Sequence, residues 1–419
     1  MSAGPLRSTG PPLGSGQPRA VWAVLFACIV AFMGIGLVDP ILPIIAKGLH
    51  ADNSQVELLF TSYFAVIGVS NLLAGYFSTR IGPKRTLLVG LALVVVCSAA
   101  AGASNSVGAV VGFRAGWGLG IALFVSTSMS VIIGGARGGI PRAVILFESA
   151  LGIGIASGPL VGGLLGGVSW RAPFFGVGVL MAIAFVSIAT QVERTPAAPH
   201  DRRIGLIEPL RALSHRGLLA GSIVALLYNF GFFTLLAYTP LPLHLGVHQL
   251  GIVFFGWGVL VALGAIFAAP RLTRRWSPVV LMSGVMVLIA LDLLVIALGI
   301  HSKPVMIVAI VASGLVLGLG NALLSTILMR VSQTNTSVAA SATNFIRFAG
   351  GALAPFLAGK LSEDVSLGAP LVVAAAVVVA GSGVLVATRR LLDADGPPVL
   401  TAVEPQDATA VEADLAAAV

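Results

Sequence analysis

The sequence predicts an all-α membrane protein of twelve transmembrane helices arranged as two six-helix pseudo-repeats. Three observations lead there: an apolar composition, twelve apolar runs of spanning length, and a self-similarity at a spacing near 200 residues. Of the 419 residues 57% are hydrophobic and 10% charged, whereas soluble domains carry about 25% charge. Fifty-one glycines suit helices that must pack backbone to backbone in lipid, where no hydrophobic force drives them together. The cysteines, Cys28 and Cys97, lie in apolar runs, which excludes a disulfide framework and a cysteine-based metal site.

A bilayer core requires roughly 20 apolar residues per helix. In the first half the runs are Val21–Ile45, Glu57–Tyr76, Thr86–Ser104, Val107–Ile133, Ala143–Gly166 and Pro173–Thr190. The second half gives Leu218–Leu241, Gly251–Ala269, Val279–Gly299, Val305–Met329, Val338–Leu361 and Ala369–Thr388. In chain order these are helices 1 to 12. The first run is too long for a signal-peptide core and lacks a small-residue cleavage site, so it is retained. The expected organisation is a tail over residues 1–20, bundles over 21–190 and 218–388, a polar linker over 191–217, and a disordered acidic tail over 389–419.

Lys and Arg favour cytoplasmic loops. With the N-terminus inside, only Lys47, Arg171, Lys303 and Lys360 of the 24 basic residues fall outside, and Arg114 and Arg347 lie within helices. Both termini are therefore expected in the cytoplasm, with the chain multi-pass in the plasma (inner) membrane. A basic inner face beside anionic lipid accounts for the net charge of +8 without nucleic acid.

Gly118-Leu-Gly-Ile-Ala-Leu123 in helix 4 returns as Gly318-Leu-Gly-Asn-Ala-Leu323 in helix 10. Gly154, Pro159 and Gly163 of helix 5 match Gly350, Pro355 and Gly359 of helix 11, and Thr79-Arg80 after helix 2 matches Thr273-Arg274 after helix 8. These matches keep their order and a nearly constant offset, so one half repeats the other. Transporters of repeated build bind substrate near the midplane between the repeats.

Three motifs then make the chain from about Val21 to Thr388 resemble the major facilitator superfamily, in particular its twelve-helix drug/proton antiporters. After helix 2, Gly75-Tyr-Phe-Ser-Thr-Arg-Ile-Gly-Pro-Lys-Arg85 resembles the family's inner-gate signature, with Gly75, Arg80, Gly82, Lys84 and Arg85 in place and Thr79 where the family has Asp. A Thr offers only neutral hydrogen bonds there, about half as strong as charge-assisted ones. In helix 4, Arg114-x-x-x-Gly118-x-Gly120 matches a second motif, with Trp117 in place of Gln. In helix 5, Gly154, Gly158, Pro159, Gly162 and Gly163 reproduce the motif that resemblance associates with exporters. Physically this is a small-residue face with a proline kink, expected to pack against a helix of the other half and pivot there, or simply to pack.

Charges inside a bilayer cost at least roughly 2.5–3.5 kcal/mol each and are functional candidates by default. Asp39 and Arg114 lie about 9 Å and 10 Å from the outer ends of helices 1 and 4. By resemblance, helices 1, 4, 7 and 10 line a central cavity, where the two are expected to meet as a partly buried pair. Asp can titrate while Arg keeps its charge, so Asp39 is the expected proton carrier, with a static salt bridge as the competing reading. Glu148 in helix 5 is a second proton site or a cation-attracting carboxylate, and its repeat counterpart is Asn344. Arg347 either pairs with Glu148 across the halves or reaches inner headgroups. Asp292 in helix 9, a helix expected at the periphery, is a secondary site without an assigned role.

Tyr228, Asn229, Phe232 and Phe233 of helix 7, Asn321 of helix 10 and Trp117 are the expected cavity residues. Such a pocket suits amphipathic substrates, although aromatics also fill helix contacts. No phosphate-binding loop, metalloprotease or hydrolase motif occurs, so neither a cofactor nor enzymatic chemistry is expected. The expected function is proton-coupled efflux of hydrophobic or amphipathic small molecules such as drugs, by alternating access. Its partners are the substrate, protons and the lipid bilayer, and the protein is expected to be a monomer. An exporter of one endogenous metabolite and a non-transporting receptor are the alternatives.

Overall fold

The computed structural model describes residues 17–137, 139–193, 205, 207–331 and 336–393. Twelve long helical spans run through them: α1 Arg19–Gly48, α2 Asn53–Ile81, α3 Pro83–Ala103, α4 Val107–Gly135, α5 Gly139–Gly166, α6 Ala172–Gln191, α7 Arg216–Leu243, α8 Val247–Thr273, α9 Pro278–Leu298, α10 Lys303–Val331, α11 Thr336–Asp364 and α12 Ala369–Ala387. Among the described residues, eleven are long and apolar enough to cross a membrane. The other, α11, has the length but carries Asn344, Arg347, Lys360 and Glu363. It is packed between α2 and α7, so protein rather than lipid meets much of its surface.

Most helix starts lie one to four residues ahead of the apolar runs, while α3, α9 and α12 end one residue short of theirs. The clearest case is α2, which starts at Asn53 behind an Asp52 cap, with Gln55 Oε1 accepting from the Asp52 amide at 3.3 Å. Glu57, expected at the helix end, is therefore more than one turn inside. Within the linker, Glu208–Ala212 forms a short helix. Disorder was expected from residue 389, but Arg389–Leu392 make a helical turn and Ser277 Oγ donates to Asp393 Oδ1 at 2.8 Å. The rest of that tail, like residues 1–16, lies outside the described residues.

The packing repeats when six is added to each helix number. Just as α1 packs on α5, α2 on α4 and α3 on α6, so α7 packs on α11, α8 on α10 and α9 on α12. Glycines make these contacts. A β-carbon at Gly118 would strike the Tyr63 carbonyl of α2, and one at Gly318 the Val261 carbonyl of α8. Gly154 faces the Ile29 carbonyl of α1, and its counterpart Gly350 faces the Leu226 carbonyl of α7.

An even number of spans returns both ends of the described chain to one side, the near side. The halves meet from the far side to the middle, through α2 with α11 and α5 with α8. A β-carbon at Gly359 would lie 2.7 Å from Ser54 Cα, and one at Gly163 2.9 Å from Gly251 Cα. The Ser54 amide donates to Glu363 Oε1 at 2.8 Å, closing the far rim.

Two spans break toward the far side. In α1 the helix Arg19–Gly36 gives way to a 3₁₀ turn, Asp39–Ile41, before resuming as Leu42–Gly48. In α7 it stops at Tyr238 and resumes as Pro240–Leu243. Pro40 and Pro240 supply the reason, since neither has an amide to continue the ladder. A third irregularity is the π turn Gly264–Ala268 in α8.

Replacing Gly158, whose β-carbon would lie 2.5 Å from the Met33 carbonyl oxygen, by Leu is expected to cost roughly 1–3 kcal/mol. Gly112, with open space around its β-carbon position, is expected to accept Ala neutrally or with up to about 1 kcal/mol of gain. Thermal unfolding of the detergent-purified variants checks both.

Candidate functional site

Of the membrane-embedded charges of the first half, Asp39 lies at the break in α1 and Arg114 within electrostatic reach of it. Arg114 is fully buried, with its guanidinium carbon 4.0 Å from the Tyr63 ring centroid and 4.8 Å from that of Trp117. Its Nη1 donates to the Gly34 carbonyl at 3.5 Å. Both oxygens of the fully buried Asp39 lack a hydrogen-bond partner among the described residues. Asp39 nevertheless feels the charge of Arg114. The expected pair is thus brought within electrostatic reach without becoming a salt bridge, because Arg114 is stacked on aromatic faces. Its burial is complete where partial burial was expected.

Asp39 also feels Glu57 of α2, which is fully buried with both oxygens unpartnered. Sequence reasoning missed this residue by placing it at a helix end. The signal that could have found it is the Asp-Asn-Ser-Gln cap of residues 52–55, which moves the helix start upstream.

Trp117, expected to line the cavity, packs among residues of its own half. Its indole is fully buried, 6.4 Å from Tyr63 and 6.2 Å from Phe174 by ring centroid, and a β-carbon at Gly34 would lie 2.9 Å from it. Tyr228 is likewise buried, with its hydroxyl donating to the Leu317 carbonyl at 2.6 Å.

In the second half three side chains expected separately converge. Arg347 of α11 donates through Nε to Asn229 Oδ1 at 3.2 Å and through Nη2 to Asn321 Oδ1 at 2.8 Å. Arg347 therefore turns toward α7 and α10 and not toward headgroups. Asn344, half-buried, lies one turn nearer the near side. The Glu148 side chain lies outside the described residues, and with it the expected contact to Arg347. Asp292 is half-buried on α9, with Oδ2 buried and without a partner among the described residues.

Between the two polar clusters runs an aromatic seam. Phe64 of α2 meets Phe233 of α7 at 4.1 Å and Phe348 of α11 at 5.9 Å between centroids; Phe233 continues to Phe232 at 4.9 Å, and Phe232 in turn meets Trp257 at 5.7 Å. Phe233 thus closes the contact between the halves, with Phe232 packed behind it in its own half.

The helix 5 motif divides its contacts. Gly154, Gly158 and Gly162 seat the Ile29, Met33 and Leu37 carbonyls of α1, in the same half, and not a helix of the other half as expected. Gly163 makes the cross-half contact, to Gly251 of α8, beside the Pro159 carbonyl. Pro159 also touches Gly36, just before the break that holds Asp39.

The loop after α2 is tied within its own half. Gly82 has φ 87°, a backbone conformation that favours glycine, and Pro83 starts α3. Lys84 Nζ donates to the Ala189 carbonyl at the end of α6 at 2.7 Å, where a cation suits the helix dipole. Arg80 lies over the Tyr76 ring at 4.1 Å, Arg85 is exposed, and Gly75 accepts the Thr79 hydroxyl at 2.9 Å, with Tyr76 at 3.2 Å. Thr79 thus gives its neutral hydrogen bond to its own helix.

The model of the Major Facilitator Superfamily matches residues 24–355. The chain belongs to that superfamily. Among its relatives is the multidrug efflux protein YfmO of Bacillus subtilis, 48% identical over 378 residues that span 90% of this chain and 94% of the relative. The quinolone resistance protein NorA of Staphylococcus aureus is 23% identical over 87% of this chain and 95% of its own length. In fold the chain resembles a bacterial homolog of the human lysosomal transporter Spinster, with a TM-score of 0.73 at 14% identity over 92% of this chain and 100% of the other. Major facilitator proteins carry small molecules and cross the membrane many times, in keeping with the twelve spans described.

If Trp117 holds Arg114 and Tyr63 in place without touching substrate, Trp117→Phe should leave ethidium affinity within about twofold and lower stability by roughly 1–2 kcal/mol. Dye binding and thermal unfolding of the purified variant measure the two effects.

Proposed function

We propose that this chain is a secondary transporter that exports hydrophobic or amphipathic small molecules in exchange for protons, by alternating access in the plasma membrane, with both termini cytoplasmic. The observation that carries the coupling is the position of Asp39. It lies in the break of α1, beside the proline of the helix 5 exporter motif and within electrostatic reach of Arg114. A carboxyl at such a hinge feels any rearrangement of α1 against α5. Kinship with YfmO along nearly the whole chain supports multidrug export.

The halves meet on the far side, which is the outer face in this reading, while Thr79, Arg271 and Thr273 on the near side bond their own helices. The conformation is then the inward-open one, ready to take substrate from the cytoplasm or inner leaflet. The protein works as a monomer, with substrate held between the Arg347, Asn229 and Asn321 cluster and the aromatic seam.

That cluster also favours a second reading, export of one metabolite bearing a hydrogen-bonding or anionic group, since Arg347 is suited to bind such a group. A panel containing ethidium and small carboxylates separates the two by which compound is moved.

In proteoliposomes with an imposed pH gradient, the wild-type protein is expected to drive ethidium against its gradient. Asp39→Asn and Arg114→Ala should each reduce this by about tenfold, the usual size of a coupling between two sites. Wild-type rates in both variants would sink the proposed role of the pair.

A further inference from the structure

We propose that Glu57 is a second proton-binding residue of this transporter, which shares with Asp39 a proton that it can give up while the far ends are apart and must hold when they close. The proposal rests on the proton-coupled reading above and extends it to a residue that none of the three motifs contains.

Glu57 is sealed from water at 0% exposure, and neither oxygen finds a donor among the described residues. One turn along the same face, the Thr61 hydroxyl is also buried without a partner, and a further turn along lies Phe64, against Phe233 of the other half. Residues spaced by four and seven share one face of a helix. Glu57 therefore faces the seam between the halves, on the far side of the aromatic contact.

The ionisable groups around it can be counted. Asp39 from the α1 break and Tyr238 from α7 both feel the charge of Glu57, and Arg114 of α4 acts on Asp39. Tyr63 of α2 lies under Arg114, and the Tyr238 hydroxyl donates to the Leu367 carbonyl at 2.7 Å. Lys47 in the last part of α1 and Lys360, Glu363 and Asp364 of α11 are exposed. The sealed cluster thus holds one guanidinium and two carboxyls. Arg114 can balance one carboxylate, whereas a second ionised one without partner or water would be prohibitively costly. One proton must stay with the pair, and in a coupled pair it belongs to both groups.

The location gives that proton a consequence. Glu57 is on α2, which packs on α11 and touches α7 of the opposite half. Parting the far ends would admit water to it and let it ionise, and closing them over it requires the proton back. Proton binding therefore favours the closed far side, as a ligand favours the state that binds it better. An exporter needs this bias on its return step, after substrate has left.

Infrared spectra of the purified protein, recorded over a pH series in light and heavy water, read protonated buried carboxyls without any substrate. Wild type is expected to show a deuterium-sensitive carboxylic acid band that changes in Glu57→Gln and in Asp39→Asn and survives in Glu57→Asp. In proteoliposomes, the ratio of pH-driven to downhill ethidium efflux should fall by about tenfold in Glu57→Gln and recover in part in Glu57→Asp. A Glu57→Gln spectrum superimposable on wild type, or an unchanged ratio, overturns the proposal. Wild-type efflux indifferent to the gradient would instead overturn the proton-coupled reading, and the infrared comparison would still decide whether Glu57 holds a proton.

Discussion

In lipid the helices gain nothing by hiding apolar side chains from one another, so their association depends on how closely two backbones approach. Here the approach is a glycine receiving a carbonyl. Gly118 on Tyr63, Gly318 on Val261, Gly154 on Ile29 and Gly350 on Leu226 fix four helix pairs at the distance of a missing β-carbon. The site follows from these contacts. Gly118 brings α4 against α2, which sets Arg114 over the Tyr63 ring, and Gly154, Gly158 and Gly162 bring α5 against the stretch of α1 that leads to Asp39.

Once the helices are that close, water is gone from between them and electrostatics takes over. Stacking on Tyr63 and Trp117 gives Arg114 an aromatic cradle, which attracts a cation strongly when both are desolvated. Among the described residues it leaves the guanidinium without a carboxylate partner while keeping it within electrostatic reach of Asp39. A direct salt bridge at this point would lock both charges in one geometry. The arrangement seen here lets the balance among Arg114, Asp39 and Glu57 change with the state of the helices.

Much of the fold was legible in the sequence because spanning length and the repeat are one-dimensional properties. Apolar runs and the offset between Gly118 and Gly318 need no knowledge of neighbours. Depth along a helix was legible too, which is why Asp39 and Arg114 were matched at the same level. Direction around a helix was not. Tyr228 shares α7 with the seam residue Phe233 but turns inward to its own half, as Trp117 does on α4, a difference of facing that hydropathy does not encode. For the same reason only Gly163 of the helix 5 glycines met the expected helix of the other half while Gly154, Gly158 and Gly162 met α1, since a small-residue face announces a close neighbour without saying which. Glu57 was lost differently: a polar cap lengthened α2, and a residue at the edge of an apolar run became an interior one.

The two halves share a packing plan and differ in what they carry. Gly163 on Gly251 and Gly359 on Ser54 are equivalent contacts, so the far rim is held by two matched pairs about the pseudo-symmetry axis. Symmetric contacts of this kind suit rocking of one bundle against the other, because both pairs load and release together. The charges break that symmetry. The first half holds Arg114, Asp39 and Glu57 on the far side of the aromatic seam, while the second holds Arg347 with Asn229 and Asn321 at mid-depth. Phe64 against Phe233 and Phe348 separates the two groups. A rocking motion that opens the seam must therefore expose the cluster of Arg114, Asp39 and Glu57 on one side as it reshapes the polar cluster on the other. In the proposed exchange, ion and substrate are linked through this shared wall, and neither has to touch the other.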